Sequence, residues 1–103
     1  MSEITKAAFQ ALEGDDFEIH FDNDEIIRIT LAEVISKEHL DSDDVENFAL
    51  LFTGPLDKQL MQASFPLRHD AIGIHQIFLV PIGPKDDLMQ YEAVFSRKKE
   101  QPA

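Results

Sequence analysis

The chain has 103 residues, no cysteine and a formal net charge of −11 at pH 7. This length is typical of a single domain, and the lack of cysteine excludes disulfides, thiolate metal sites and a thiol nucleophile. The negative charge repels phosphate backbones and anionic lipid surfaces, so we expect no direct binding to nucleic acid and none to a membrane.

The negative charge is concentrated in one third of the chain. From Glu13 to Glu46 there are thirteen acidic residues and two basic ones, Arg28 and Lys37, whereas the remainder carries seven of each sign. Such a charge suits a basic protein partner, and it also serves solubility alone. The N-terminus lacks the basic segment and apolar core of a secretory signal, and no apolar run reaches the about 20 residues that span a bilayer. We therefore expect a bacterial protein of the cytoplasm.

The first predicted element is a short helix over residues 6–13. Thr5 is a suitable N-cap, because its hydroxyl can accept a hydrogen bond from a free N–H of the first turn. Phe9 and Leu12 lie three residues apart and share one helix face. Gly14 can take the left-handed conformation that commonly ends a helix. The pattern predicts a helix that packs Phe9 and Leu12 on the core.

After this helix the apolar residues recur with a period of two, which predicts strands. An irregular alternation near residues 32–35 predicts a bulge in the second strand. Pro66 has no N–H to donate, so its end of the fourth strand is predicted to lie at an edge or beside a bulge. The predicted strands cover residues 17–21, 25–35, 48–53, 59–67, 74–82 and 88–96.

The third and fifth predicted strands are apolar at both parities, which is typical of strands that are buried on both faces. Phe95 of the sixth predicted strand also lies on an apolar parity, and we predict that Phe48, Phe52, Phe78 and Phe95 are buried. On the fourth predicted strand Met61 shares the apolar parity, so we place it with the inward residues.

One helix followed by about six strands with mostly short turns predicts a mainly β fold. The expected architecture is a small antiparallel barrel or sandwich with one short N-terminal helix, and the choice between the two stays open. We expect a single domain over residues 1–103, with its β core over residues 17–96. The polar residues 97–103 are expected to form a frayed tail.

The longest gap between strand patterns, residues 36–47, predicts a polar loop. Long loops in compact domains are commonly either functional or flexible. We predict that this loop faces a basic protein partner through an attraction that fades as salt rises. Its acidic residues are Glu38, Asp41, Asp43, Asp44 and Glu46. The alternative, that the loop only keeps the protein soluble, stays open.

The sequence holds no pattern that indicates catalysis or a cofactor. Residues 41–46 resemble the start of a calcium loop, but the turning glycine of that loop is replaced by Glu46 and its last glutamate by Phe52. His69 and His75 flank a predicted turn, and two imidazoles are too few for a zinc site. No serine lies in a nucleophile elbow. We expect a protein that is not an enzyme and holds no metal or cofactor.

Core aromatic and turn residues follow one another in a distinctive order. The order comprises Leu31-Ala-Glu33-Val34, Phe48-x-Leu50-x-Phe52-x-Gly54-Pro55, Leu60-x-Gln62, Pro66-Leu67-x-His69, Phe78-Leu79-Val80-Pro81-x-Gly83 and Tyr91-Glu92-Ala93-Val94-Phe95. It resembles a small bacterial family of β-rich domains of unknown function. The resemblance implies a compact β-rich domain that acts alone or as an accessory, and it carries over no functional residue.

These observations favour a non-catalytic protein-binding or assembly module. Two alternatives stay open. One is an acidic inhibitor that imitates nucleic-acid charge and occupies a DNA-binding protein. The other is a small-ligand-binding β domain, whose cavity the two-sided apolar strands would line.

Overall fold

The computed structural model describes residues 5–37, 40–41 and 45–98. Within these residues a short helix and a 3-10 turn, Leu56–Lys58, accompany the strands. The helix and strands are α1 (Lys6–Gln10), β1 (Asp16–His20), β2 (Ile26–Ser36), β3 (Val45–Pro55), β4 (Ala63–His69), β5 (Gly73–Lys85) and β6 (Leu88–Lys98).

The strands form a closed antiparallel barrel in the order β1-β2-β3-β6-β5-β4, with β4 returning to β1. The closing pair is short, because only Glu18 with Arg68 and Ile19 with Leu67 are in register. Pro66 lies just beyond this pairing, as expected of a residue that cannot donate to a ladder. The predicted mainly β antiparallel fold is confirmed, and the architecture is the barrel.

β2 and β5 each change neighbour along their length. β2 pairs with β1 up to Thr30 and with β3 from Thr30 onward. β5 pairs with β4 up to Leu79 and with β6 from Val80 onward. Both strands contain a register shift near the change, after Leu31 in β2 and after Pro81 in β5. Since bulges bend strands, these two bends allow the sheet to close on itself.

Large inward side chains fill the barrel. The fully buried ones are Phe9, Phe17, Ile19, Ile29, Leu31, Phe48, Leu50, Phe52, Leu67, Ile77, Leu79 and Tyr91. Tyr91 brings a hydroxyl into this apolar interior, where it accepts the backbone N–H of Leu60 at 2.8 Å. The wall is so close at Gly54 that a Cβ there would lie 3.0 Å from Cγ2 of Ile29. The interior is thus a packed core with its polar atom paired.

α1 packs against one end of the barrel. Thr5 caps it as predicted, since its Oγ1 accepts the N–H of Ala8 at 3.0 Å. The buried Phe9 ring lies 5.7 to 6.5 Å from the rings of Phe17, Phe48 and Phe95. With five residues α1 is far too short to cross a bilayer, and the described part of the chain contains no helix that could.

Some bounds in the N-terminal half differ from the predicted ones. The helix ends at Gln10 and not at residue 13, because residues 11–14 form a turn that Gly14 completes with φ of +91°. The bulge predicted in the second strand is confirmed after Leu31. β3 begins at Val45, inside the predicted loop, since it pairs with β6 along its whole length.

The C-terminal bounds differ as well. β5 continues through Gly83 and Pro84, where the prediction ended it, because the bulge after Pro81 lets the pairing with β6 resume. The chain reverses instead at Asp86 and Asp87, which both have positive φ, as two-residue hairpin turns require. β6 extends to residue 98, so the expected tail is partly strand. Residues 99–103 lie outside the described residues.

Four aromatic residues and one methionine were predicted to face inward, with mixed outcome. Phe48 and Phe52 are fully buried, as predicted, and Phe95 is partly buried. The predictions for Phe78 and Met61 are wrong, because both side chains are exposed. Phe78 lies on the outward parity of β5, and a single closed sheet has only one interior. Met61 precedes β4, so the strand alternation does not extend to it.

Candidate protein-docking face

β5 presents one apolar face to the core and another to solvent. Its inward residues Ile77 and Leu79 are buried. Its outward residues Ile74, Phe78 and Ile82 are 55%, 49% and 49% exposed. Successive side chains of a strand point to opposite faces, so the even-numbered residues form one outward stripe. Apolar outward positions on a half-solvated antiparallel strand are the exception, since such faces are commonly polar.

A neighbouring strand widens this stripe. Val80 of β5 pairs with Glu92 of β6, and Val94 lies two residues further along β6 on the same outward side. Diagonal neighbours of this kind are about 7–8 Å apart, and Val94 is 64% exposed. We define the β5 face as the outward side chains of Ile74, Gln76, Phe78, Val80, Ile82 and Val94.

The β5 face is separated from the acidic part of the molecule. No Asp, Glu, Lys or Arg occurs between residues 73 and 84. The acidic stretch, residues 13–46, contains β1 and β2. In the closed strand order β2 is three places from β5 in either direction, so the two lie on opposite sides of the barrel. β5 is therefore an apolar strand away from β2, and the charged side chains beside its outward stripe are Arg68, opposite Ile74, and Glu92, opposite Val80.

Two of the five acidic residues that were predicted to face a partner hold the fold together. Asp41 is half-buried, and its Oδ1 accepts the backbone N–H of Asn47 at 2.7 Å. Glu46 is also half-buried, and its Oε1 accepts the backbone N–H of Lys6 at 3.1 Å. The other three, Glu38, Asp43 and Asp44, lie outside the described residues. A role of this loop in binding remains a prediction.

A polar depression of about 220 Å³ lies on the outer side of β2, β1 and β4. Glu18 accepts hydrogen bonds there from Nε2 of His20 at 3.0 Å and from Nε of Arg28 at 3.2 Å. The His20 hydrogen bond, followed by the charge of Arg28, lowers the pKa of Glu18 below its ordinary value. Arg68, across the closing strand pair, also lines the depression. Of the charged groups that line this depression, Glu18 and Arg28 are paired with each other.

The two histidines considered as metal ligands bind separate partners. The N–H of Ala71 donates to Nδ1 of His69 at 2.9 Å, so the proton of the neutral ring lies on Nε2 and is donated to Oδ2 of Asp15 at 2.9 Å. Nε2 of His75 donates to the carbonyl of Ile72 at 2.7 Å. Among the described residues no group of three or more His, Asp or Glu side chains could hold a metal ion.

The β5 face was not predicted from the sequence, although its signal is visible there. Residues 74–82 are apolar at both parities, and this pattern was interpreted as burial on both sides. The same pattern results when one side packs in a barrel and the other is left for a partner. Only the closure of the sheet, which depends on all strands together, decides between the two.

The comparison with known families gives one match. A family model described as "Domain of unknown function (DUF6916)" matches residues 4–95. No curated protein and no solved structure matches the chain.

Proposed function

Because the chain belongs to the DUF6916 family, whose description names no activity, we propose its function from its own surface. The chain is a non-catalytic protein-binding module that docks its partner through the β5 face. The observation that carries this proposal is the outward apolar stripe of β5, centred on the half-exposed ring of Phe78. Exposed contiguous apolar patches on small proteins commonly mark interaction sites.

The exposed apolar surface of β5 provides the free energy for docking. Removing apolar surface from water is worth about 25 cal/mol per Å², and aromatic side chains near the centre of a patch commonly dominate the binding energy. Phe78 has this position, with Ile74 and Ile82 four residues away on either side. A single partner surface laid along β5 would cover all three.

The backbone of the β5 face is also held in place before a partner binds. β5 is hydrogen-bonded to β4 over its first half and to β6 over its second half. A face held by strand pairing loses little conformational entropy when it binds, which raises the affinity for a given area.

The titratable groups elsewhere support a non-catalytic role. Glu18 is engaged by His20 and Arg28, and both ring nitrogens of His69 have partners within the chain. Groups held in this way maintain the fold, whereas a catalytic acid or base must be able to reach a substrate proton.

Photo-crosslinking in the source cell tests the proposal. Benzoylphenylalanine is placed at Phe78 and, as a matched control, at Leu40, another exposed apolar position, on the acidic stretch. We expect a crosslinked protein with the probe at position 78 and little with the probe at position 40. If position 78 crosslinks no better than position 40, the β5 face is not the docking face. Crosslinking at position 40 alone would favour the acidic loop.

A further inference from the structure

We infer that the partner of the β5 face is a second copy of this chain, an inference that rests on the proposed docking function of that face. Two barrels associate through their β5 faces about a two-fold axis, and the axis passes close to Phe78. The order of the side chains, the distribution of charge and the size of the face carry this inference.

The outward residues of β5 are arranged symmetrically about Phe78. In order they are Ile74, Gln76, Phe78, Val80 and Ile82. A two-fold interface must be self-complementary, because each contact occurs twice. When two β5 strands cross antiparallel over Phe78, that ring meets its own copy and Ile74 meets Ile82 of the second copy at both ends. Apolar groups then lie against apolar groups at the centre and at both ends, and Gln76 meets Val80 of the second copy in between.

The charge distribution selects a second copy over a basic partner. β5 has no Asp, Glu, Lys or Arg between residues 73 and 84, and the two charged side chains beside it, Arg68 and Glu92, have opposite signs, so a basic surface gains no net attraction there. The acidic side, around β2, points away from the axis. The shorter dimensions of the molecule are 28 and 22 Å, so the acidic residues of β2 in the two copies lie well beyond the screening length of about 8 Å at physiological salt. Association through β5 therefore keeps the like charges of the two copies apart.

The size of the face sets the strength of the dimer. From Ile74 to Ile82 the stripe is about 30 Å long at about 3.3 Å per residue, and β5 with its neighbour β6 gives a width of roughly 10–15 Å including side chains. This is about half of the roughly 800 Å² that each partner buries in a stable interface. We therefore expect a reversible dimer with a dissociation constant in the micromolar range.

Sedimentation equilibrium of the purified full chain, from about 1 µM to about 500 µM, tests the inference. The mass of the wild type is expected to rise from 11.7 kDa toward twice that value. Phe78→Glu is expected to raise the dissociation constant about tenfold or more, since it buries a charge at the centre. Leu40→Glu introduces the same residue, glutamate, in place of an exposed apolar side chain of the acidic stretch, and this variant should dimerise like the wild type. Circular dichroism of both variants is the control that checks whether they are folded.

Each of the other possible results contradicts one part of the proposal. A wild type that stays at 11.7 kDa throughout overturns the second copy as the partner. Equal dissociation in Phe78→Glu and Leu40→Glu overturns the β5 face as the dimer interface. If the wild type is monomeric while position 78 crosslinks to a different protein in cells, the docking face stands and its partner is not a copy. If neither experiment gives an association, the proposed function fails as well.

Discussion

Phe52 and Phe78 are both phenylalanines, but the side chain of Phe52 points into the barrel and that of Phe78 points to solvent. Phe52 is fully buried, with its ring 5.5 Å from the ring of Phe17 in an edge-to-face contact. Phe78 is about half exposed. The free energy that each ring contributes to folding should therefore differ by several kilocalories per mole, since burial is what stabilises.

We expect Phe52→Ala to lower the free energy of unfolding by about 3–5 kcal/mol, because it leaves a cavity in the core. Phe78→Ala is the matched control, and it should cost about 1 kcal/mol or less in the monomer. Urea unfolding at low protein concentration, where association is negligible, measures both. Equal losses in the two variants would show that the inward and outward parities have been assigned wrongly.

Glu18 is a carboxylate whose titration the fold changes. Its pKa is lowered in the folded state, first by the hydrogen bond from His20 and then by the charge of Arg28. A lowered folded pKa means that folding favours the ionised form. The resulting stabilisation is present above the ordinary value of 4.5 and is lost as the pH falls through the lowered pKa.

The melting temperature of the wild type should therefore exceed that of Glu18→Gln at pH 7, and the difference should shrink below the ordinary value and disappear once the pH is below the lowered pKa. The control is Glu33→Gln, which removes an exposed carboxylate for which the described residues provide no hydrogen-bond partner. A difference between the wild type and Glu18→Gln that grows as the pH falls would contradict the assignment.

At the scale of elements, the segment between α1 and β1 completes the edge of β2. β2 extends beyond the start of β1, and there the N–H of Gly14 donates to the carbonyl of Leu31 at 2.7 Å while the N–H of Leu31 donates to the carbonyl of Asp15 at 2.9 Å. Further along, the N–H of Val34 donates to Oε2 of Glu13 at 2.8 Å. A carboxylate thus accepts the bond that a neighbouring strand would otherwise accept.

Glu13→Ala should lower the free energy of unfolding by about 1–2 kcal/mol, because the N–H of Val34 loses its acceptor. Glu13→Gln keeps an acceptor oxygen and should cost less. Thermal unfolding at pH 7 compares these two variants with Glu33→Ala, an exposed change on the same strand that should have little effect. If Glu13→Ala and Glu13→Gln lost equal stability, the hydrogen bond to Val34 would not be the cause.

The alternation of side chains allowed most of the fold to be predicted. Phe17 and Ile19 in β1, and Ile27 and Ile29 in β2, recur at this period of two, and all four are buried. Alternation determines which side chains share a face, but it does not determine whether that face is covered. The outward stripe around Phe78 was therefore predicted as core. The bond between Glu13 and β2 joins residues far apart in the sequence, and no local pattern indicates it.

At the scale of the whole molecule, the separation of the apolar and acidic sides predicts how association responds to salt. Each copy carries a net charge of −11, so two copies repel at long range. Salt screens this repulsion and leaves apolar burial largely intact. We expect the dimer dissociation constant to fall or stay constant between about 50 mM and about 500 mM NaCl. A basic partner at the acidic loop would show the opposite trend, so a dissociation constant that rises with salt would count against the β5 interface.

β1 and β4 close the barrel through only two residue pairs, and this short pairing also has a kinetic consequence. The other strand pairs are in register over at least five residues, and β3 with β6 over eleven. Opening the barrel between Ile19 and Leu67 therefore breaks the fewest hydrogen bonds, so amide hydrogens at this seam should exchange with solvent sooner than those of β3 and β6. The two residues are also roughly 50 positions apart in the chain, which makes their contact entropically expensive during folding. The seam is thus expected to close late when the chain folds and to open first when the native protein fluctuates.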